Sequence, residues 1–137
     1  MKIVCIGGGP AGLYFALLYK KARPDADITV LERNADGVTF GWGVVFSDET
    51  LSYLEENDPP THQAITKSFA HWTAIDIFYK GVCLRSDGHG FSGIARKELL
   101  QILQDRCREL GVKLQFGVEV DDYVEHTRGA DLVIAGD

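Results

Sequence analysis

Three glycines near the start of the chain have the spacing that a phosphate-binding turn requires. Gly7, Gly9 and Gly12 satisfy the pattern G-x-G-x-x-G. The first glycine permits a sharp turn from strand to helix, the second lets a pyrophosphate approach the backbone, and the third lets the helix pack closely on the sheet. Pro10 and Ala11 then begin a helix whose free N–H groups favour an anion. This spacing predicts a dinucleotide site, and a glycine turn without a ligand is the alternative.

A carboxylate follows the glycine turn at the distance expected for a ribose acceptor. Glu32 lies about 20 residues beyond Gly12, at the end of a second β-branched run. Its carboxylate can accept hydrogen bonds from both ribose hydroxyls of an adenosine, and it would repel a 2′-phosphate. We therefore expect this site to exclude NADP, although the turn and Glu32 alone do not distinguish FAD from NAD.

The elements that position these residues form a βαβ unit. Residues 2–6 predict a buried strand, residues 11–22 a helix and residues 28–31 a second strand. Strands joined by such a crossover are parallel. We therefore predict an α/β Rossmann-like fold with a central parallel sheet, in which residues 2–6 lie between residues 28–31 and residues 131–135.

The rest of the chain gives weaker signals for regular structure. Leucines at helical spacing follow Arg96, and Gly111 is the expected helix stop. Ser47 or Asp48 can cap another helix, which we expect to end before two prolines. The predicted segments are an irregular stretch at 34–45, a helix ending at 56, a hairpin at 72–85 apart from the parallel sheet, a turn at 87–90, a helix at 96–110 and a strand at 112–120.

Composition excludes several classes of function. The chain has 137 residues and a net charge of −6, which argues against a nucleic-acid surface or an anionic membrane surface. Its apolar runs are shorter than the roughly 20 residues that span a bilayer. Cys5, Cys83 and Cys107 are widely spaced and odd in number, so we expect reduced thiols and a cytoplasmic protein. The spacing of the four histidines matches no metal-ligand pattern, and no metal site is predicted.

Three further stretches, taken with the glycine turn, carry a resemblance to a known family. They are residues 41–48 (GWGVVFSD), residues 93–100 (GIARKELL) and residues 131–137 (DLVIAGD). Their order resembles the FAD-dependent aromatic hydroxylases, flavin monooxygenases of the 4-hydroxybenzoate hydroxylase type, over essentially the whole chain. Residues 41–48 resemble most closely the branch that acts on coenzyme A thioesters, the salicylyl-CoA and anthraniloyl-CoA hydroxylases.

The resemblance implies which residues contact FAD. It implies that Arg33 lies near the adenosine half, that Arg96 lies against the FAD, and that Asp137 belongs to a motif used for both FAD and NAD(P)H. It implies no catalytic residue within this chain. The complete set of expected cofactor-binding residues is Gly7, Gly9, Pro10, Ala11, Gly12, Glu32, Arg33, Gly41, Gly43, Val44, Arg96 and Asp137.

The resemblance also implies that the chain is part of a longer enzyme. The family continues past the aspartate that Asp137 matches, with a substrate-binding sheet and a glycine-aspartate motif. We therefore expect residues 1–137 to be the N-terminal part of an FAD-binding domain. The whole enzyme would use NAD(P)H and O₂ to hydroxylate an aromatic small molecule, and no oligomeric state is predicted. The alternatives are a non-catalytic, truncated dinucleotide-binding module and another FAD oxidoreductase, a reductase or a halogenase.

Overall fold

The computed structural model describes residues 1–136, in which the chain forms two β-sheets and the helices that pack against them. The elements in chain order are β1 (Lys2–Ile6), α1 (Pro10–Ala22), β2 (Asp27–Glu32), β3 (Gly43–Ser47), α2 (Asp48–Asn57), α3 (Pro59–Ser68), β4 (Ala70–Tyr79), β5 (Val82–Ala95), α4 (Arg96–Leu110), β6 (Lys113–Phe116), α5 (Tyr123–His126) and β7 (Leu132–Ala135). None of the helices within residues 1–136 combines the length and apolar character that crossing a membrane requires.

The first sheet is parallel throughout and has the strand order β6-β2-β1-β7. The predicted α/β fold is therefore confirmed, as is the position of β1 between β2 and β7. Ile3, Val4 and Cys5 of β1 are buried, because this central strand is covered on both faces. All four strands run in one direction, so their carboxyl ends lie at one edge of the sheet, and the glycine turn leaves β1 there.

The second sheet is antiparallel, has the order β3-β5-β4, and is separate from the first, as predicted for the hairpin. Its extent differs from the prediction, because β3 (Gly43–Ser47) begins within the stretch at 34–45 that was expected to be irregular. Residues 87–90 also lie within β5 rather than in a turn. The pairing of β4 with β5 shifts register between Trp72 and Ala74, so the glycines at 88 and 90 lie at a bulge.

Two of the helices match the sequence prediction closely. Ser47 caps α2 by accepting a hydrogen bond from the Thr50 N–H, and the expected Leu51 and Leu54 are its buried residues. Helix α4 spans Arg96–Leu110 and ends at Gly111, whose φ of 84° is the left-handed conformation predicted for a helix stop.

Helix α3 is absent from the sequence prediction, because Pro59 and Pro60 indicated only the end of the preceding helix. Both prolines lie in its first turn, where a missing N–H costs no hydrogen bond. The Asp58 carboxylate caps this helix by accepting hydrogen bonds from the Thr61 N–H at 3.3 Å and hydroxyl at 2.7 Å. The prolines therefore mark the start of a new helix as well as the end of α2.

A buried ion pair connects α3 to α4. The Arg106 guanidinium donates two hydrogen bonds of 2.9 Å to the fully buried carboxylate of Asp58, and Lys21 lies 3.3 Å from the same carboxylate. Burial alone would raise the pKa of Asp58, but hydrogen bonds from Arg106 and Thr61 outweigh it and lower the pKa to about 2. Asp58 therefore stays ionised and joins three helices.

Candidate functional site

The glycine turn has the backbone geometry that its sequence predicted. Gly7 has a φ of 101°, a conformation that L side chains rarely adopt. A Cβ at Gly12 would overlap the carbonyl oxygen of Gly7, so the helix passes too close to the turn for any side chain. A Cβ at Gly9 would meet only the Gly136 carbonyl oxygen, at 3.9 Å. The protein itself therefore requires glycine at 7 and 12, whereas position 9 is open toward the cleft.

Helix α1 presents unpaired backbone donors to this opening. Its N-cap residue Gly9 has no side chain to cap it, Pro10 is the first helical residue, and the first turn contains no acidic residue. The first N–H groups of a helix have no intrahelical acceptor, and the helix dipole adds partial positive charge there. The end of α1 is therefore suited to an anion.

Glu32 lies at the end of β2 and its side chain folds over the glycine turn. Its Oε2 accepts a hydrogen bond of 2.7 Å from the Gly8 N–H. Its Oε1 accepts hydrogen bonds from Asn34, at 2.8 Å from the backbone N–H and 2.6 Å from Nδ2. A Cβ at Gly8 would lie 2.8 Å from the Cβ of Glu32, so this close packing depends on glycine. The carboxylate is thus held rigidly beside the helix end.

Arg96, the first residue of α4, is one of two arginines that line a cleft beside the glycine turn. Its backbone N–H donates to the Trp42 carbonyl oxygen at 3.2 Å, and a Cβ at Gly41 (φ 93°) would lie 3.5 Å from its Cδ. Within the described residues, Nε of Arg96 is buried and has no hydrogen-bond partner. A buried donor without an acceptor costs free energy, and a cation is unfavourable at a helix N-terminus. Both features are explained by an anionic ligand.

One cleft of about 320 Å³ brings six of the twelve predicted site residues together. It lies at the carboxyl edge of the parallel sheet, where ligands bind in open α/β folds. Its wall also includes residues that the sequence analysis did not single out, notably Asn34, Gln104 and Gly136. The complete lining is Gly8, Gly9, Pro10, Ala11, Glu32, Arg33, Asn34, Val38, Thr39, Phe40, Arg96, Leu100, Gln104, Phe116 and Gly136.

A smaller cavity of about 100 Å³ lies on the other side of Glu32. Arg33 lines both this cavity and the main cleft, and residues 118–120, which follow β6, form the opposite wall. No sequence pattern identified residues 118–120 as site residues, because only the pairing of β6 with β2 brings them beside Glu32. Their contribution therefore depends on tertiary structure.

Gly41, Gly43 and Val44 are predicted site residues that do not line the main cleft. Gly41 contacts Arg96, whereas Gly43 begins β3, where a Cβ would approach the Ile94 carbonyl oxygen at 2.9 Å. Val44 lines a separate apolar cavity of about 260 Å³ between α1, α2 and α4. Asp137 lies outside the described residues.

The Tyr14 hydroxyl borders that apolar cavity and, like Nε of Arg96, is a buried polar atom without a hydrogen-bond partner among residues 1–136. Burial together with the charge of Asp58 raises the pKa of Tyr14.

The histidines are spread over separate elements, and the described residues contain no cluster of three or more His, Cys, Asp or Glu side chains suited to a metal ion.

Comparison with known proteins agrees with the resemblance drawn from the sequence. No family model matches the chain. The chain is 45% identical over 137 residues to a salicyloyl-CoA 5-hydroxylase of a Streptomyces species, covering all of this chain and 26% of that protein. It is 27% identical to a 3-hydroxy-4-methyl-anthranilyl-[aryl-carrier protein] 5-monooxygenase of Streptosporangium sibiricum, covering all of this chain and 38% of that protein. The chain thus spans less than half of these curated relatives.

Solved structures show the same fold. The native FqzB crystal structure has a TM-score of 0.79 at 20% identity, covering the whole of this chain and 36% of FqzB. The CtdE crystal structure in complex with FAD and a substrate has a TM-score of 0.70 at 17% identity, covering 87% of this chain and 30% of CtdE. The predicted resemblance to aromatic hydroxylases is confirmed by the sequence relatives, and these structures confirm the fold.

Proposed function

We propose that this chain forms the adenosine and pyrophosphate half of the FAD site in a flavin-dependent aromatic hydroxylase. The observation that carries the proposal is the unpartnered Nε of Arg96, which belongs to the same cleft as the glycine turn and Glu32. A cation with an unsatisfied donor, a helix N-terminus and a ribose acceptor together form the donor and acceptor set of a dinucleotide. The residues present therefore fit FAD.

The pyrophosphate, the adenosine ribose and the adenine each have a candidate partner in the described residues. The N–H groups at Ala11 and Gly12, with Arg96, suit the pyrophosphate, whose approach requires the open position at Gly9. Glu32 suits the adenosine ribose, and the small cavity beside Arg33 suits the adenine. Gly41 and the start of β3 lead away from Arg96, toward the side on which we expect the flavin ring.

The chemistry that FAD supplies in such enzymes is the transfer of electrons from NAD(P)H and the activation of O₂. The residues of this chain bind and orient the cofactor. The glycine turn would hold the pyrophosphate, and Glu32 would bind the adenosine ribose. The proposed chemistry of the whole protein is the insertion of one oxygen atom into an aromatic ring, with the other oxygen atom leaving as water.

For the substrate, we propose an aromatic acyl group carried as a thioester. The names of two relatives support this class, one acting on a coenzyme A thioester and the other on an aryl-carrier protein. The same proposal includes NAD(P)H as electron donor. The free cysteines Cys5, Cys83 and Cys107 support a reducing, cytoplasmic location.

The test is purification of the longer protein that contains this chain, followed by absorbance spectroscopy and turnover assays. We expect bound FAD, and NAD(P)H oxidation stimulated by salicyloyl-CoA with a product 16 Da heavier. Glu32→Ala should weaken FAD binding by about 1.5–3 kcal/mol, the value of a charged hydrogen bond.

A protein purified without flavin that cannot be reconstituted with FAD would contradict the proposal. NAD(P)H oxidation without any oxygenated product, for every aromatic thioester tried, would instead indicate a reductase on the same scaffold.

A further inference from the structure

The Glu32 carboxylate is not a free acceptor in this structure. It receives one hydrogen bond on Oε2, from the Gly8 N–H at 2.7 Å, and two on Oε1, both from Asn34. An ionised carboxylate offers about four lone-pair sites. Three are therefore occupied, and about one site remains, on Oε2. The prediction that Glu32 accepts hydrogen bonds from both ribose hydroxyls therefore requires more acceptor capacity than this arrangement leaves.

The Asn34 side chain determines which oxygen remains available. Its Nδ2 donates to Oε1 at 2.6 Å, a short distance typical of hydrogen bonds to charged acceptors. Without this bond, Oε1 would keep only the Asn34 backbone N–H and would have a free lone-pair site of its own, while Oε2 would keep the Gly8 N–H. The amide therefore occupies the second site of Oε1, and Oε2 is left with the free lone pair.

The backbone at Asn34 is held independently of its side chain. The Asn34 carbonyl oxygen accepts a hydrogen bond of 3.0 Å from the Gly117 N–H, and the Glu32 carbonyl oxygen accepts one of 2.9 Å from the Val118 N–H. These bonds connect the end of β2 to the segment that follows β6. A change of the Asn34 side chain should therefore alter the carboxylate without moving the backbone that carries it.

We propose that Asn34 is the positioning residue of the ribose site, acting through Glu32 so that the carboxylate accepts one ribose hydroxyl on Oε2. This inference rests on the proposed FAD site, and it predicts that the protein distinguishes the two adenosine hydroxyls. Removal of the hydroxyl bound by Glu32 costs a charged hydrogen bond, whereas removal of the other costs no bond to Glu32. Asn34 is half-buried beside the cleft and makes no bond to the cofactor itself in this scheme.

The experiment uses the longer protein that contains this chain, freed of FAD. It measures the affinity of this apoprotein for FAD and for two FAD analogues, one without the 2′-hydroxyl and one without the 3′-hydroxyl of the adenosine ribose. Wild-type protein should bind one analogue about tenfold more weakly than FAD or worse, and the other within about threefold. In Asn34→Ala, FAD binding should weaken and the larger ratio should fall to about threefold, because one of the three hydrogen bonds that hold the carboxylate is lost and the free lone-pair site is no longer confined to Oε2. In Asn34→Asp, FAD binding should weaken further, because a second carboxylate replaces the donor and repels Glu32.

Asn57→Ala is the matched control, because Asn57 donates its amide to the Tyr53 carbonyl oxygen on α2, and neither residue lines the cleft. Its analogue ratios should equal those of the wild type. An unchanged ratio in Asn34→Ala, or equal losses for the two analogues in wild-type protein, would overturn the role of Asn34 while FAD binding stands. Failure of wild-type protein to bind FAD at all would overturn the proposed function as well.

Discussion

At the scale of single residues, two glycines of the turn are needed for different reasons. Position 9 is open, so Gly9→Val should leave the free protein as stable as the wild type and abolish FAD binding, because the side chain would occupy the pyrophosphate position. Gly12→Ala should destabilise the protein even without FAD, because its Cβ would overlap the Gly7 carbonyl oxygen. Thermal unfolding of the apoproteins and FAD titration measure the two effects separately.

The two variants serve as controls for each other. Tight FAD binding by Gly9→Val would show that the pyrophosphate does not approach this turn. Equal thermal stability of Gly12→Ala and wild type would show that the turn and the helix can separate at little cost.

Arg96 provides a second prediction at this scale. Arg96→Met keeps much of the aliphatic volume and removes the buried, unpartnered Nε. FAD affinity should fall by about 10-fold to 100-fold, the value of a hydrogen bond between charged groups, while the apoprotein should keep or gain stability. Arg85→Met, which removes an exposed arginine of the hairpin, should leave FAD affinity unchanged. Flavin fluorescence titration compares them, and equal affinities for Arg96→Met and wild type would remove Arg96 from the site.

At the scale of elements, the Asp58 ion pair joins the helices that support the cleft. Asp58→Asn keeps a capping side chain for α3 but leaves the Arg106 cation without its carboxylate, so we expect a loss of about 3 kcal/mol in unfolding free energy. Asp76→Asn breaks the exposed pair with Arg85 and should cost much less, because water screens that pair. Urea unfolding measures both, and equal losses would show that burial of the Asp58 pair adds nothing.

The same ion pair predicts an acid transition. The folded-state pKa of Asp58 is about 2, below its ordinary value of 3.8, so its stabilisation is present above about pH 4 and is lost as the pH falls toward 2. The difference corresponds to about 2 kcal/mol. Urea unfolding between pH 5 and pH 2 should show this decline in the wild type, and a decline about 2 kcal/mol smaller in Asp58→Asn. Parallel pH profiles of the wild type and Asp58→Asn would show that Asp58 does not cause this loss of stability.

At the scale of the whole molecule, the second sheet leaves a large apolar surface uncovered. Ile77, Tyr79, Val82 and Leu84 pair across the β4–β5 hairpin on one face of the sheet, and each is more than half exposed. Patches of this kind mark interaction surfaces, and the chain spans only 26% of its Streptomyces relative. The 137-residue chain alone should therefore bind a hydrophobic dye strongly and bind FAD far more weakly than the longer protein. Stoichiometric FAD binding by the short chain, or substrate-driven NAD(P)H oxidation, would contradict this.

The secondary-structure elements that depend on neighbouring residues could be predicted from the amino-acid sequence alone. The glycine spacing, the β-branched runs and the leucine stripe after Arg96 predicted β1, α1, β2 and α4, since each follows from side-chain period or backbone conformation. The same signals predicted the parallel order around β1 and the site residues of the turn. Ser47 as a helix cap belongs to this group, because capping involves only neighbouring residues.

Features that depend on contacts between residues far apart in the sequence could be identified only in the folded protein. The prolines at 59 and 60 indicated the end of a helix. Helix α3 nevertheless begins there, because the Asp58 carboxylate both caps it and binds Arg106. The glycine-rich segment at 87–90 resembles a turn, yet pairing with β4 on either side makes it a bulge within β5. Residues 118–120 reach Glu32 because β2 pairs with β6, and no local pattern encodes which strands will be neighbours.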